Sequence, residues 1–400
     1  MTRGLRWIAI TAFALGLAVR TVPLVLKPDA PLTTCDGRAY HTLALNLVAG
    51  NGLTYDDPVT VAQCGTHLTL GPSHHYAPGR AFVEAPFIAL LGNTTLALVL
   101  PLLLLSWGAV FVAWWTTRDL YGGDAGLLAA AAVSLEWTGA LFGTWVGYAE
   151  NLVIITFTLT LWAIVRALKD DRFLVLAGLF AGAGYLSKAS LGWFFLIAGL
   201  GGFVWRLLYR GIGVLKNRWY WAAIAVFGLI FAVWGLRNLS LFWDGTASGL
   251  LDSWQTSDVQ AQFVAAALGQ PSELALGLAG KLPILVIGLA LGFLPLLGGF
   301  RQSLREWKRE DVSGLWLAIG LVFVLGWFFA GVFWVSERTN LLWADAIRYV
   351  MPAQIPLLWL LLRDGQPQRR LPWALSFVIM LAMTFASISL MDSGALLARN

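Results

Sequence analysis

Apolar runs of about 17 to 25 residues, each long enough to cross a hydrocarbon core, recur along the whole chain. Backbone polar groups inside a bilayer must be satisfied within the protein, so runs of this length are helices. Only 12% of the residues are charged, against about 25% in soluble domains. The sequence therefore predicts an all-α polytopic membrane protein. About eleven spans follow from apolar length, over 6–26, 94–116, 125–142, 149–166, 173–187, 190–209, 219–236, 280–299, 313–334, 347–363 and 371–390. The formal charge of +5 does not point to nucleic acid, because the basic residues sit in short loops between spans and report topology.

Arg3 and Arg6 precede the first span, and no small-residue cleavage site follows it before Lys27, so it reads as a retained anchor. With the N-terminus in the cytoplasm, the inside loops hold the clusters Arg166/Lys169/Arg172, Arg206/Arg210/Lys216/Arg218, Arg301/Arg305/Lys308/Arg309 and Arg363/Arg369/Arg370. The outer loops, though longer, hold scattered cations such as Lys27, Arg38 and Lys281. This asymmetry puts the first loop, 27–93, and a second loop, 237–280, on the outer face of a plasma membrane. The expected organisation is one transmembrane domain over 1–400 with no separate soluble domain. Residues 173–205 form an apolar stretch interrupted by Lys188. One helix of that length would run about 50 Å, and both flanks are basic, so the chain is expected to turn near Lys188 at the outer boundary.

The first loop is the long polar segment near the N-terminus. Asp36 opens a short amphipathic helix in which Tyr40, Leu43 and Leu47 share one face, with Arg38, His41 and Asn46 away from it. Asp is a good N-cap, so the same residue can simply start the helix. Residues 81–92 read as a second surface or re-entrant helix. Cys35 and Cys64 both lie in this loop and can pair in an oxidising compartment; sequence leaves open whether they do. His41, His67, His74 and His75 also fall here, near Asp56 and Asp57. A divalent metal is one use for them, but the spacing matches no standard zinc pattern. Solvated loop histidines or sugar contacts are the preferred reading, and no cofactor is assigned.

Ionisable side chains at membrane depth cost on the order of 2.5 kcal/mol or more and usually serve a site. Glu150, Lys188, Arg237 and Arg348 with Tyr349 all fall at the outer boundary, level with Asp36. Singly, each can cap a helix or snorkel to headgroups. Together, three cations and two carboxylates suit a lipid-borne phosphate and a proton acceptor for an incoming hydroxyl. No nucleotide-binding glycine motif is present, so an activated donor would be carried by the lipid.

Several stretches then carry a resemblance: DGRAYHTLALNLVAGNGL and APGRAFVEAPFIALLG in the first loop, GYAEN at the fourth span, AGLFAGAGYLSKAS, the Arg237–Asn238 pair and RYVMP. This ordered set resembles the GT-C glycosyltransferases that use polyprenyl-phosphate sugars, in the branch of protein O-mannosyltransferases and lipid A aminoarabinose transferases. The resemblance implies a GT-C fold and an inverting transfer to a lipid, glycan or protein acceptor. It makes Asp36 the catalytic base and Glu150 a second acidic residue near sugar or acceptor. Lys188, Arg237, Arg348 and Tyr349 become ligands of the donor phosphate, and Tyr40, His74, His75, Arg80 and Glu84 candidate sugar or acceptor contacts. Two departures stand out: Gly37 where many relatives carry a second acidic residue, and Arg80 where many carry an aromatic.

The competing expectation is a flippase or transporter of a lipid-linked sugar. Such a protein should show internal repeats and helices broken near the midplane. No convincing repeat is visible, and the charges gather at one face.

Overall fold

The computed structural model describes residues 1–64, 70–73, 76–188 and 211–243, with positions 199, 203, 207, 355 and 359 beyond them. The chain divides into two units: Met1–Phe195 with Leu215–Gly235 and Gly365–Asn400, and Leu196–Val214 with Leu236–Asp364. The expected spans from 280 onward, most of the span at 190–209 and most of the second outer loop lie outside the described residues.

The protein is an all-α polytopic membrane protein. In the first unit α1 (Arg3–Leu26), α5 (Thr95–Tyr121), α6 (Gly123–Ser134), α8 (Glu150–Ala167) and α9 (Phe173–Ser187) pack as a bundle. α5 lies between α6 and α8, α1 lies on α6, and α9 lies on α8. The last described helix is α10 (Arg218–Trp243). Among the described residues four helices are long and apolar enough to cross a membrane: Arg3–Leu26, Thr95–Tyr121, Glu150–Ala167 and Arg218–Asn238. Their exposed side chains, such as Trp7, Leu104, Phe111 and Leu229, are apolar as lipid contact requires. α5 and α6 join through Gly122, whose φ of 93° ends one helix and starts the next without a linker.

The third expected span, 125–142, is corrected. α6 has 12 residues, about 18 Å, and stops at Ser134. A short helix, α7 (Trp137–Ala140), and a single π turn, Leu141–Trp145, follow. The cause is Arg20, a fully buried side chain of α1. Its Nε donates to the Ser134 carbonyl at 2.9 Å, and its Nη2 donates to the carbonyls of Val133 and Glu136 at 2.6 and 3.2 Å. Val133 and Ser134 are the last residues of α6, where carbonyls lack the usual partner four residues on; Val133 also accepts from the Glu136 amide at 3.3 Å, and Glu136 from the Ala140 amide at 3.2 Å. The Glu136 carboxylate then accepts from the Gly139 amide at 2.6 Å and starts α7.

Between α1 and α5 the first loop folds into a 3-10 turn (Ala30–Thr33), α2 (Cys35–Val48), β1 (Thr54–Tyr55), α3 (Pro58–Cys64), β2 (Gly71–Pro72) and α4 (Gly79–Leu91). β1 and β2 pair antiparallel, Thr54 with Pro72 and Tyr55 with Gly71. α2 is not the one-faced surface helix that its pattern suggests. His41 and Asn46, expected off the apolar stripe, are buried because α4 and the loop cover the second face. Asn46 donates to Asp56 and to the Thr54 carbonyl, at 2.6 and 2.8 Å. α9 ends at Ser187 and Lys188 is extended, so the helix breaks where the isolated charge placed the turn.

Candidate active site

The N-cap of α2 is Thr34, whose Oγ1 accepts from the Gly37 amide at 3.2 Å. Asp36 therefore sits inside the first turn and does not cap the helix. It is half-buried, and one carboxylate oxygen, Oδ1, accepts a hydrogen bond from the Tyr76 hydroxyl. Tyr76 meets Tyr40 edge to face, ring centres 5.1 Å apart. Cys35 and Cys64 are joined by a disulfide with 4.9 Å between their Cα atoms, which ties the start of α2 to the end of α3.

Beneath this layer lies a buried chain of charge. Arg80 is 1% exposed. Its guanidinium stands 5.2 Å from the Tyr40 ring centre, and its Nη2 donates to Glu84 Oε2 at 3.2 Å. Glu84, equally buried, has its other oxygen 2.5 Å from His41 Nδ1, and His41 Nε2 lies 3.1 Å from Asn93 Oδ1. Arg80 and Glu84, expected to touch sugar or acceptor, pair with each other, and Glu84 also meets His41.

Glu150 opens α8 and is 2% exposed, and Lys188 donates to its Oε1 at 2.7 Å. The two halves act on the same groups. Burial pushes the Tyr40 hydroxyl well above the usual tyrosine range, and the charges of Asp36 and Glu150 push it further. Burial draws Arg80 below the usual arginine value, against the opposing pull of Glu84, Tyr40, Asp36 and Glu150. Asp36, Tyr76, Tyr40, Arg80 and Glu84 are linked by direct contacts, and the charge of Glu150, which Lys188 pairs, reaches Tyr40 and Arg80.

Three glycines make that convergence possible. A Cβ on Gly37 would overlap the carbonyl oxygens of Pro31 and Val146. One on Gly79 would lie 2.6 Å from the Leu186 carbonyl oxygen and 2.9 Å from Ser187 Cα, so the start of α4 rests on the end of α9 beside Lys188. Gly147, at φ 75°, leaves room for Pro31 and the Arg80 guanidinium. A side chain at position 37, such as the second acidic residue that the resemblance leads one to expect there, has no space here. Gly37→Ala is expected to cost about 1–3 kcal/mol through overpacking against backbone, read as a lower thermal midpoint of the purified protein; an unchanged midpoint would show that the loop yields.

The cluster lies at the end of the unit where α1 and α9 finish and α8 begins. At the other end the N-terminal amine and Arg6 pair with Asp124, and Arg166 pairs with Asp119. Arg237, half-buried, donates to Asn238 at 2.9 Å and belongs to the second unit. His74, His75, Arg348 and Tyr349 lie outside the described residues. Among the described residues no group of three metal-ligating side chains gathers.

Sequence reasoning missed Tyr76 and the Arg20 network. Arg20 had a readable signal, a lone guanidinium within an apolar span. Tyr76 had a weaker one, a hydroxyl-bearing aromatic directly before the APGRA segment.

A family model described as dolichyl-phosphate-mannose-protein mannosyltransferase matches residues 75–235, from the end of the first loop into α10. None of the curated proteins compared with the chain matches it. The match supports a membrane-embedded glycosyltransferase of the GT-C superfamily. It takes in Tyr76, Arg80, Glu84, Glu150 and Lys188; Asp36 precedes it.

Proposed function

We propose that the protein transfers a sugar from a polyprenyl-phosphate donor to a lipid, glycan or protein acceptor at the outer face of the plasma membrane, with inversion. The observation that carries this reading is the packing of the site: Tyr76 holds the half-buried Asp36 carboxylate and meets Tyr40, Tyr40 lies beside the Arg80 guanidinium, and Gly79 seats the start of α4 on the end of α9 beside the Glu150–Lys188 ion pair. Asp36 removes the proton of the acceptor hydroxyl as its oxygen bonds to the anomeric carbon. The bond from that carbon to the phosphate oxygen breaks, and the electron pair leaves with the polyprenyl phosphate. Lys188 supports the developing phosphate charge; Arg237, Arg348 and Tyr349 stay candidate phosphate ligands on the sequence resemblance alone. Glu150 holds Lys188 and serves the sugar or acceptor; Tyr40, His74, His75, Arg80 and Glu84 are kept as candidate sugar or acceptor contacts from the resemblance.

The disulfide supports an outer position for the loop, because such bonds persist in oxidising compartments. The excess of Lys and Arg in the alternate loops supports a cytoplasmic N-terminus. No divalent metal enters the proposed chemistry.

Lys188→Ala is expected to weaken polyprenyl-phosphate binding about tenfold, the loss of one charge-assisted hydrogen bond. Titration of the detergent-solubilised protein with polyprenyl monophosphate measures it, and wild-type affinity would remove Lys188 from the phosphate site. Mass spectrometry of co-purifying lipids tests the donor class; their consistent lack of any polyprenyl-phosphate sugar argues against the whole assignment.

A further inference from the structure

We infer that Tyr76 is the positioning residue for the transfer site: its hydroxyl clamps the Asp36 carboxylate, while its ring rests on Tyr40 and its oxygen on the Cys35–Cys64 disulfide. This rests on the reading of Asp36 as the base. The contacts have a definite polarity. Tyr76 Oη lies 3.3 Å from Cys35 Sγ, but sulfur is a weak acceptor beside a carboxylate, so the single hydroxyl proton is given to Asp36 Oδ1. Burial, reinforced by the charge of Asp36, pushes the Tyr76 hydroxyl well above the usual tyrosine range. The phenol therefore stays a donor at every working pH. Its backbone is held too: the Ser73 hydroxyl lies 3.4 Å from the Tyr76 carbonyl oxygen. Tyr40, Tyr55, Tyr76 and Cys64 share one buried cluster under the loop. A base must hold its carboxylate within hydrogen-bond reach of the proton it takes, and a ring with two side-chain torsions fixed by packing supplies that hold.

The test reads the clamp without any sugar transfer. Dicyclohexylcarbodiimide reacts with protonated carboxyls in apolar surroundings, and removing a donor from a carboxylate favours proton uptake. In full-length detergent-solubilised protein at pH 7, Tyr76→Phe should label at Asp36 at least about threefold faster than wild type, with labelling of Glu150 unchanged. Tyr55→Phe, which removes another buried hydroxyl from the same loop, should label at the wild-type rate. With 3-fluorotyrosine at position 76, a stronger donor on an intact ring, Asp36 should label more slowly. In the source cells, with the chromosomal copy deleted, Tyr76→Phe should restore about a tenth of the glycan product, and Tyr55→Phe all of it. Wild-type labelling in Tyr76→Phe, equal acceleration in Tyr55→Phe, or full product from Tyr76→Phe overturns the inference. The base reading stands or falls separately, on Asp36→Asn.

Discussion

Asp36→Asn is expected to lower sugar transfer by about 10²–10⁴-fold, the usual contribution of a general base, while the thermal midpoint stays within about 2 °C of wild type. Asn has the shape of Asp, and its carbonyl oxygen can still accept from the Tyr76 hydroxyl. The N-cap belongs to Thr34, so the start of α2 does not depend on a charge at position 36. Even if it did, Asn caps a helix as well as Asp does. What Asn cannot do is accept the proton of an attacking hydroxyl. Transfer measured with the lipid-linked sugar that co-purifies with the protein, beside a melting curve for each variant, separates chemistry from folding. Activity retained in Asp36→Asn would remove the proposed base. A large fall in the midpoint would instead return the residue to a structural role.

Much of this site was legible because charge is scarce in so apolar a chain. Asp36, Glu150 and Lys188 stood out only as a set at one boundary, and the break at Lys188 followed from one ammonium between two basic flanks. Their convergence depended on elements no local pattern encodes. Gly79 brings α4 onto the end of α9, and Gly37 lets α2 press against the backbone of Pro31 and Val146. Tyr76, with only its place before the APGRA segment to mark it, was passed over because its partner, Asp36, lies 40 residues away in sequence. His41 and Asn46 were read as the polar face of a surface helix. Periodicity within α2 could not report that α4 and the loop bury that face as well. The length of α6 failed for the same reason: the side chain that stops it, Arg20, comes from 114 residues earlier.

That side chain carries the largest expected effect on stability. Arg20→Met should destabilise the protein by about 3–5 kcal/mol, the range for breaking a buried ionic arrangement from one side. Besides the carbonyls of Val133, Ser134 and Glu136, Arg20 Nη1 donates to Ser106 Oγ at 3.0 Å and to Asn151 Oδ1 at 3.2 Å. The side chain thus joins α1, α5, α6 and α8, and its Nη2 lies 3.9 Å from the buried Glu136 carboxylate. Met fills the volume but takes the guanidinium donors from all five acceptors, of which Val133 O, Glu136 O and Ser106 Oγ keep a second partner, and the buried Glu136 loses its cation. A fall in thermal midpoint on the order of 10 °C follows, measurable by fluorescence-detected size-exclusion chromatography after heating. Arg20→Lys should fall between, because an ammonium keeps the charge but has three donors and no planar fork for five acceptors. Adding Glu136→Gln to Arg20→Met should recover part of the loss, since it removes the uncompensated carboxylate. A guanidinium that merely snorkels to headgroups would give none of this pattern, so wild-type stability in Arg20→Met would show the network to be dispensable. The effect also reaches the site: Asn151 follows Glu150 directly, so protein that survives the substitution should hold the Glu150–Lys188 pair less firmly and bind polyprenyl phosphate more weakly.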